Sequence, residues 1–281
     1  MTTPDVPRAP SQAELIQAQY QRARQRFSAS VALTWVLLLA LLGFLFSGVR
    51  IQVGDLTLLK TINLDFSFIV AWAPFISEGV WQTIGISALS ILLATLLALL
   101  AALGRLSRFA PIYALSTFYV SVIRGTPLFL QVMFFFLALP QLGISLPGLW
   151  AGVLALGLNY GAYMSEIFRA GIASVSGGQR EAAFALGMDY GQMMRRVVLP
   201  QALRFAIPPT GNEFIAMLKD SALVSATGFV HEILWRATKV GRSNFRNLEA
   251  LIIAAAFYWV MTLIFTSLQA RLEKYMNRGE R

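Results

Sequence analysis

The sequence contains no cysteine, one histidine and few charged residues for its length. Of 281 residues, 57% are hydrophobic and 13% are charged, and the mean hydropathy is +0.63. Without cysteine there are no disulfides, thiolate nucleophiles or cysteine-based metal sites, and the single His231 cannot form a multi-histidine metal site. A soluble domain carries about a quarter charged residues. The composition therefore indicates a chain whose surroundings are largely lipid.

The chain also lacks a phosphate-binding loop and any recognisable set of catalytic residues. No G-x-x-x-x-G-K-[ST] segment is present, so no nucleotide phosphate is expected to bind here. There is no Ser/His/Asp set, which disfavours a membrane enzyme. The net charge of +9 does not indicate nucleic-acid binding, because the cations flank apolar segments instead of forming one stripe. We therefore expect no cofactor or metal on this chain.

Six apolar segments are long enough to cross a membrane, for which about 20 mostly apolar residues are needed. They are 30–49, 79–104, 112–139, 149–169, 206–228 and 248–270. The sequence R-G-T-P at 124–127 breaks the third segment. Two adjacent prolines, Pro208 and Pro209, and the charged pair Lys219 and Asp220 interrupt the fifth. The sequence thus predicts an all-α membrane protein with about six transmembrane helices.

The distribution of lysine and arginine predicts that both termini are cytoplasmic. With the N-terminus inside, most of the 23 Lys and Arg residues fall in cytoplasmic segments, as the positive-inside rule requires. The extracytoplasmic cations are then Arg50, Lys60, Arg236, Lys239, Arg242 and Arg246, and Lys219 lies within a span. His231 falls in the extracytoplasmic stretch after the fifth span and is interpreted as a surface or interfacial residue.

The chain divides into four predicted parts. These are a polar cytoplasmic tail at 1–29, an added span with an extracytoplasmic segment at 30–77, a main transmembrane domain at 78–272, and a cytoplasmic tail at 273–281. Because no A-x-A cleavage site follows the first span, we expect that span to remain as an anchor. Apolar and polar residues alternate over 50–68 around Gly54 and Asp55, which predicts a small hairpin that caps the surface or contacts a partner.

A polar cytoplasmic loop at 174–205 interrupts the apolar chain. The stretch from Gln179 to Met188 predicts a short helix, which Gly187 ends through a left-handed turn. A second helical stretch follows and Pro200 is expected to end it. Its apolar side is formed by Met193, Met194, Val197 and Val198.

Two interpretations of this loop are consistent with its residues. It is either a rigid knob that docks into a cleft on another protein, or an amphipathic helix that lies on lipid. The small side chains of Ala182 and Ala183 allow close approach, and Glu181 offers an anion to a cationic partner. An anion and few cations are unfavourable on an anionic membrane surface.

The loop resembles the docking loop of permease subunits of binding-protein-dependent ABC importers. The shared spacing is E-A-A, three residues, G, nine residues, a β-branched residue, one residue, L-P, with Val197 where Ile is usual. Further motifs over about residues 75–272 are similar to the histidine/glutamine-type polar amino acid permeases. They are Glu78-Gly79, Thr83, R-G-T-P-L at 124–128, Gln131, Gly161-Ala162-Tyr163, Glu166, Arg169, Gly178-Gln179, Pro200-Gln201-Ala202, Asn212, Phe214, Lys219-Asp220-Ser221 and Leu223.

The resemblance implies a fold, partners and a location. The fold would be the type I ABC importer transmembrane domain, with a five-helix core and an added N-terminal helix in the inner membrane. A separate ATPase would hold ATP and magnesium, a second permease subunit, identical or related, would complete the path, and an extracytoplasmic solute-binding protein would deliver a polar amino acid. The residues implied to couple to the ATPase are Glu181, Ala182, Ala183, Gly187, Leu199 and Pro200.

A second set of residues is a candidate substrate path. Ionisable groups within a span tend to face a cavity or a partner, and polar residues at i and i+4 share a helix face. The candidates are Asn159, Tyr163, Glu166, Asn212, Lys219 and Asp220.

Structural explanations for the same residues remain open. Lys219 and Asp220 could belong to a network between kinked helices, with Glu166 as the partner of Lys219. The helix carrying Asn159 and Tyr163 could instead pack through its small residues, Gly157 and Gly161. Arg124 is expected to contact headgroups or the neighbouring loop.

The alternative function is a channel or secondary carrier driven by an ion gradient. Such a protein needs a continuous relay of ionisable groups through its spans, and only Lys219 and Asp220 lie near the middle of one.

Overall fold

A computed structural model describes residues 12–53 and 56–276. The chain divides into two compact units, with the division between Phe66 and Ser67. The outer parts of both predicted tails, and the predicted turn at Gly54 and Asp55, lie outside the described residues.

The first unit contains a long helix and a hairpin. Helix α1 spans Gln12–Leu45 and includes most of the first predicted membrane segment. Strands β1 (Arg50–Val53) and β2 (Leu56–Lys60) pair antiparallel, with Arg50 opposite Lys60. The predicted hairpin is therefore confirmed, and its strands end close to the expected turn.

The regular secondary structure of the second unit, among its described residues, consists of helices joined by short loops. Its α-helices are α2 (Phe66–Ser77), α3 (Gly79–Gly104), α4 (Ala110–Arg124), α5 (Leu128–Met133), α6 (Gly148–Ser174), α7 (Gly177–Ala185), α8 (Tyr190–Met193), α9 (Leu199–Asp220), α10 (Ile233–Ser243) and α11 (Asn247–Met276). Two π-helical turns, Phe134–Ala138 and Met194–Val198, continue α5 and α8, and 3-10 segments follow at Leu139–Leu142 and Ser221–Thr227.

Three stretches of the described chain are long and apolar enough to cross a membrane. They are Gln19–Leu45, Phe66–Gly104 and Asn247–Met276. A fourth is formed if Ala110–Arg124 and Leu128–Leu142, which are bent by 104° at their break, count as one span. Helices α6 and α9 are 27 and 22 residues long. They carry more polar residues, and α6 is largely buried among the other helices.

Small residues allow α6 to lie against its neighbours at close range. A Cβ atom at Gly157 would be 2.6 Å from Leu93 Cδ2, and one at Gly161 would be 2.8 Å from the hydroxyl oxygen of Tyr119. Such close approach is typical of packing between membrane helices. It fixes the rotation of α6 and therefore decides which of its polar residues face inward.

The predicted break at 124–127 is confirmed. Gly125 ends α4 and Pro127 starts α5 from an extended conformation. The residue before a proline is disfavoured in the helical region, so Thr126 cannot continue the helix easily. The chain consequently turns sharply at this point.

Two predictions about proline are wrong. Helix α9 continues through Pro208 and Pro209, and Gln269 on α11 donates a hydrogen bond of 3.0 Å to the Pro208 carbonyl. Membrane helices tolerate internal proline, and the Gln269 contact holds α11 against this part of α9. Nor does Pro200 end the second helical stretch of the loop. It lies in the first turn of α9, after a π-helical turn in which the Leu199 N–H reaches the Met194 carbonyl.

Candidate functional site

An open cavity of about 580 Å³ lies between the α4–α5 break, α6 and α9. Its lining residues are Arg124, Gly125, Thr126, Pro127, Leu128, Asn159, Tyr160, Tyr163, Glu213 and Asp220. The break therefore supplies one wall of the cavity, and polar faces of two helices supply the rest.

Two buried amides hold the break in place. The Gln131 side-chain NH₂ donates to the Ile123 carbonyl at 2.8 Å and to the Thr126 hydroxyl at 2.9 Å. The Asn159 side-chain NH₂ on α6 donates to the side-chain oxygen of Gln131, Oε1, at 3.2 Å. Asn159 thus lines the cavity and also ties α6 to the break, because a buried amide needs its hydrogen bonds satisfied.

The α9 wall carries two carboxylates. Glu213 and Asp220 are seven residues apart, which is two helical turns, so both lie on the same face of α9. The Tyr160 hydroxyl on α6 donates to Asp220 Oδ2 at 2.8 Å. The α9 wall of the cavity therefore presents hydrogen-bond acceptors, and the Tyr160 hydroxyl orients one of them, the Asp220 carboxylate.

The end of α4 supplies a guanidinium to the cavity lining. The Arg124 guanidinium carbon lies 5.0 Å from the centroid of the Tyr163 ring, in a cation–π contact. One of its nitrogens is 3.4 Å from Glu166 Oε1. Arg124 was expected to contact headgroups or a loop, but it faces this cavity.

Glu166 is the centre of an arginine cluster below the cavity. It accepts hydrogen bonds from Arg105 and from Arg169, whose Nη2 is 2.8 Å from Glu166 Oε2. Since Arg124 is the third and longest contact, the carboxylate is shared among three guanidinium groups. The predicted pairing of Glu166 with Lys219 does not form.

The six candidate path residues separate into two groups. Asn159, Tyr163 and Asp220 line the cavity, and Glu166 adjoins it through Arg124. Adjacent helical residues point about 100° apart, so Lys219 is exposed on another side of α9, with no ion pair in the described part of the chain. Asn212 accepts a hydrogen bond from Gln269 at 3.0 Å and lies between α9 and α11.

Several lining residues were not predicted as site residues. The sequence assigns Arg124 to headgroups or the neighbouring loop, gives Thr126 only as part of a motif and a break, and does not select Tyr160. Glu213 was missed, although its spacing of seven residues from Asp220 is a signal that both share one helix face.

The loop at 174–205 contains the predicted short helix and left-handed turn. Helix α7 ends at Ala185, and Gly187 adopts a φ of +76°. The Met188 N–H bonds to the Ala183 carbonyl at 3.1 Å, which closes the helix end. Helix α8 then begins at a capping box in which Asp189 accepts from the Gln192 N–H at 2.8 Å.

The two alanines of E-A-A point in different directions. Ala183 is buried in an apolar cluster, and Ala182 is exposed. The other members of that cluster are Ile172, Val175, Met193, Val198 and Ala202. Side chains on the outer surface of the loop include Glu181, Phe184, Leu186 and Tyr190, of which Leu186 is 79% exposed. The loop is thus a packed knob with an apolar outer face.

The family of binding-protein-dependent transport system inner membrane components matches residues 94–278. The chain belongs to this family. The arginine transport system permease protein ArtQ of Bacillus subtilis strain 168 is 41% identical to this permease over 78% of the chain and 100% of the relative. The glutamine transport system permease protein GlnP of Escherichia coli K12 is 35% identical over 76% and 99%.

Solved structures agree with this assignment. An amino acid ABC transporter determined with histidines matches at a TM-score of 0.72 and 40% identity, over 76% of this permease and 100% of that chain. The inward-facing MetNI methionine ABC transporter matches at a TM-score of 0.63 and 18% identity, which supports the fold alone.

These findings confirm the predicted family, the all-helical ABC importer transmembrane fold and the importer function. The chain is a permease subunit and an inner membrane component, so its role is transport. The alternative of a channel or ion-driven carrier is not favoured.

Proposed function

We propose that this permease imports a polar amino acid, preferentially a cationic one, through the cavity between the α4–α5 break and α9. The observation that carries the proposal is the presence of one guanidinium, Arg124, and two carboxylates, Glu213 and Asp220, in the lining of one cavity. Relatives named for arginine and glutamine transport support an amino acid as cargo.

The chemistry of the walls assigns an orientation to the cargo. Arg124 receives the α-carboxylate, because a guanidinium binds carboxylates in a bidentate geometry that no other side chain matches. Glu213 and Asp220 receive the α-ammonium and a positively charged side chain. A neutral cargo leaves one carboxylate without a cation, which favours arginine, lysine or histidinium over glutamine.

The same helix connects the cavity to the loop. A continuous helical path runs from Tyr190 through the π-helical turn into α9, which carries both carboxylates. The distance along α9 from Leu199 to Asp220 is about 32 Å at 1.5 Å per residue. A movement of the loop therefore displaces the carboxylates relative to α6 and changes their distance from Arg124.

The partners follow from this linkage. Two ATPase subunits, which hold ATP and magnesium, bind the loop, whose coupling residues are Glu181, Ala182, Ala183, Gly187, Leu199 and Pro200. Ala183 contributes from inside the loop by packing its apolar cluster. Two permease subunits, identical or related, form the path, both termini are cytoplasmic, and a solute-binding protein delivers the cargo from outside. Substrate-path residues in this scheme are Asn159, Tyr163, Asp220, Glu213 and Arg124, with Glu166 holding Arg124.

The test is uptake by proteoliposomes that contain the permease, its ATPase and its binding protein. We expect ATP-dependent arginine uptake, with Arg124→Gln reducing uptake of arginine but not of agmatine, which lacks the carboxylate. Lys219→Gln is the matched control, since Lys219 neighbours Asp220 but points away from the cavity. Uptake driven by an ion gradient without the ATPase, or equal loss in the control, would overturn the proposal.

A further inference from the structure

Helix α10 presents an exposed cationic and aromatic surface that the transport path does not use. Its inner side packs in the core through Ile233, Ala237 and Val240. The residues on the other side are His231, Trp235, Lys239 and Arg242, which are spaced three or four apart. We call these four residues the α10 face, because this spacing places them on one side of a helix.

The α10 face is ordered by contacts among its own side chains. The His231 ring stacks on Trp235 with centroids 3.8 Å apart, and Lys239 Nζ lies 4.8 Å from the Trp235 ring centroid. Trp235 is therefore held between an imidazole and an ammonium group. Because these side chains are already ordered, binding of a partner costs less side-chain entropy than it would at freely rotating residues.

The base of α10 is held to α2 and α3 by Arg236. Its Nη1 donates to Glu78 Oε2 at 2.6 Å and to the Phe75 carbonyl at 3.0 Å. The helix also begins at the buried Glu232, whose carboxylate accepts from the Leu234 and Trp235 N–H groups. The α10 face is thus mounted on a fixed helix.

Two cations of the α10 face have no carboxylate partner in the described ranges. Arg236 pairs with Glu78 and Arg246 pairs with Glu249. Lys239 and Arg242 are exposed, with no ion pair among residues 12–53 and 56–276. In the proposed topology they lie outside, where lysine and arginine are normally depleted near the ends of spans. Membrane orientation therefore does not explain these charges.

An exposed aromatic residue follows the α10 face at an unusual backbone conformation. Phe245 is 92% exposed and has a φ of +56°. Bulky side chains rarely adopt positive φ, and such residues often occur where a surface has a function. With Trp235 and Arg242, it supplies the residue types that are enriched at protein interfaces.

We propose that the α10 face and Phe245 form the docking surface for carboxylates on the solute-binding protein. The proposal rests on the proposed function, which requires such a protein on this side. A phospholipid surface can be bound by mobile lysines, whereas a stacked triad next to an exposed aromatic side chain fits a partner of fixed shape. Charge complementarity accounts for the unpaired Lys239 and Arg242.

The experiment measures ATP turnover of the permease–ATPase complex against binding-protein concentration, in vesicles of phosphatidylcholine alone and with phosphatidylglycerol. Arg242→Glu and Lys239→Glu should each raise the concentration for half-maximal stimulation about tenfold in both lipids. Turnover without binding protein should stay unchanged. Arg271→Glu is the matched control, because it makes the same charge change about 36 Å along α11 from Asn247.

The outcomes distinguish this inference from the proposed function. If the wild type responds to binding protein and both α10 variants respond equally well, the docking surface is wrong and the transport function stands. A shift seen only with phosphatidylglycerol would assign the α10 face to lipid headgroups instead. No stimulation of the wild type would contradict the proposed function itself. A lysine substituted for one carboxylate residue of the binding protein could restore stimulation of the Arg242→Glu variant. Such a restoration would identify the two residues that contact each other.

Discussion

The loop at 174–205 and the cavity are built from residues in two different ways. The loop is one continuous stretch, 174–205, whose helix end, capping box and apolar cluster come from residues close in sequence. The cavity takes its residues from the α4–α5 break, α6 and α9, which are separated by up to about a hundred residues. Local spacing therefore determines the loop, whereas the cavity depends on how three segments are rotated and packed.

This difference has a consequence for coupling. A motif encoded by local spacing keeps its shape while it moves as a unit, which suits a part that transmits force. Helix α9 starts at this loop and ends in the cavity wall, so the same helix takes part in both. A change in the loop is expected to alter transport without affecting assembly. A change in the packing of α6 is expected to lower the stability of the fold.

The largest effect is expected in the loop. Gly187→Val places a β-branched residue at a φ of +76°, where L-residues are disfavoured by about 1–2 kcal/mol. The end of α7 should then shift, and uptake should fall at least about tenfold while the ATPase continues to hydrolyse ATP. Uptake and ATP turnover measured in the same proteoliposomes give the ratio that reports uncoupling.

Gly178→Val is the control for this prediction. A Cβ atom meets no atom within 4 Å at either glycine, and only Gly187 has a positive φ. Equal uptake per ATP in the two variants would show that the left-handed turn is not required. Glu181→Gln, which keeps the shape of the loop and removes its anion, is expected to uncouple to a smaller extent.

A pair of tyrosines tests whether the cavity has the geometry described. Tyr160→Phe removes the donor to Asp220 at 2.8 Å, and a hydrogen bond to a charged group contributes about 1.5–3 kcal/mol. The arginine concentration for half-maximal uptake should therefore rise roughly tenfold or more. Tyr163→Phe keeps the aromatic ring that contacts Arg124, so the arginine concentration for half-maximal uptake should change little. If the two variants behave alike, Asp220 does not face the cargo.

The sequence predicted local features well and the cavity only in part. The hairpin, the break at 124–127 and the left-handed Gly187 each depend on residues next to one another. Asn159, Tyr163 and Asp220, which are candidates because they are polar within spans, line one cavity. Lys219 was selected on the same ground, but polarity alone does not give the rotation of α9.

The interactions between distant segments could not be derived from spacing. Asn212 contacts Gln269 on α11 and Glu166 contacts Arg105, pairs that are 57 and 61 residues apart. Gln269 on α11 likewise bonds to the Pro208 carbonyl, 61 residues away in the sequence. Each is decided by packing between helices, for which the sequence pattern gave no partner.

The packing that orients the cavity can be tested through a glycine. Gly161→Ala places a Cβ atom 2.8 Å from the Tyr119 hydroxyl and 2.9 Å from Leu97 Cβ. Overpacking of this kind costs about 1–3 kcal/mol. The thermal midpoint in detergent should fall by several degrees, on the order of 2–4 °C per kcal/mol for a chain of this size. Gly85→Ala is the control, because its Cβ meets open space, and an equal decrease there would contradict close α6 packing.

The smallest effect concerns Glu232, where local and distant contacts combine. Its carboxylate caps α10 through the Leu234 and Trp235 N–H groups and accepts from Tyr258 on α11 at 2.5 Å. Burial raises the pKa of Glu232 above its usual value near 4.5, although these hydrogen bonds oppose the shift. A carboxyl group with a raised pKa binds its proton more tightly in the folded state. Its contribution to stability is therefore fully present below about pH 4.5 and is lost as the pH rises through the folded-state value.

Glu232→Gln removes this titration and leaves a side chain of similar size. As the pH is raised from 4 to 7, the wild type should lose stability relative to the variant, by at most about 1.4 kcal/mol in the free energy of unfolding for each unit of pKa shift. Thermal midpoints of both proteins, measured across this pH range, report the change. A difference that is constant with pH would mean that the capping N–H groups and the Tyr258 hydroxyl fully compensate burial. A difference that grows in favour of the wild type would mean that they outweigh it, so that the carboxylate is the preferred form at the start of α10.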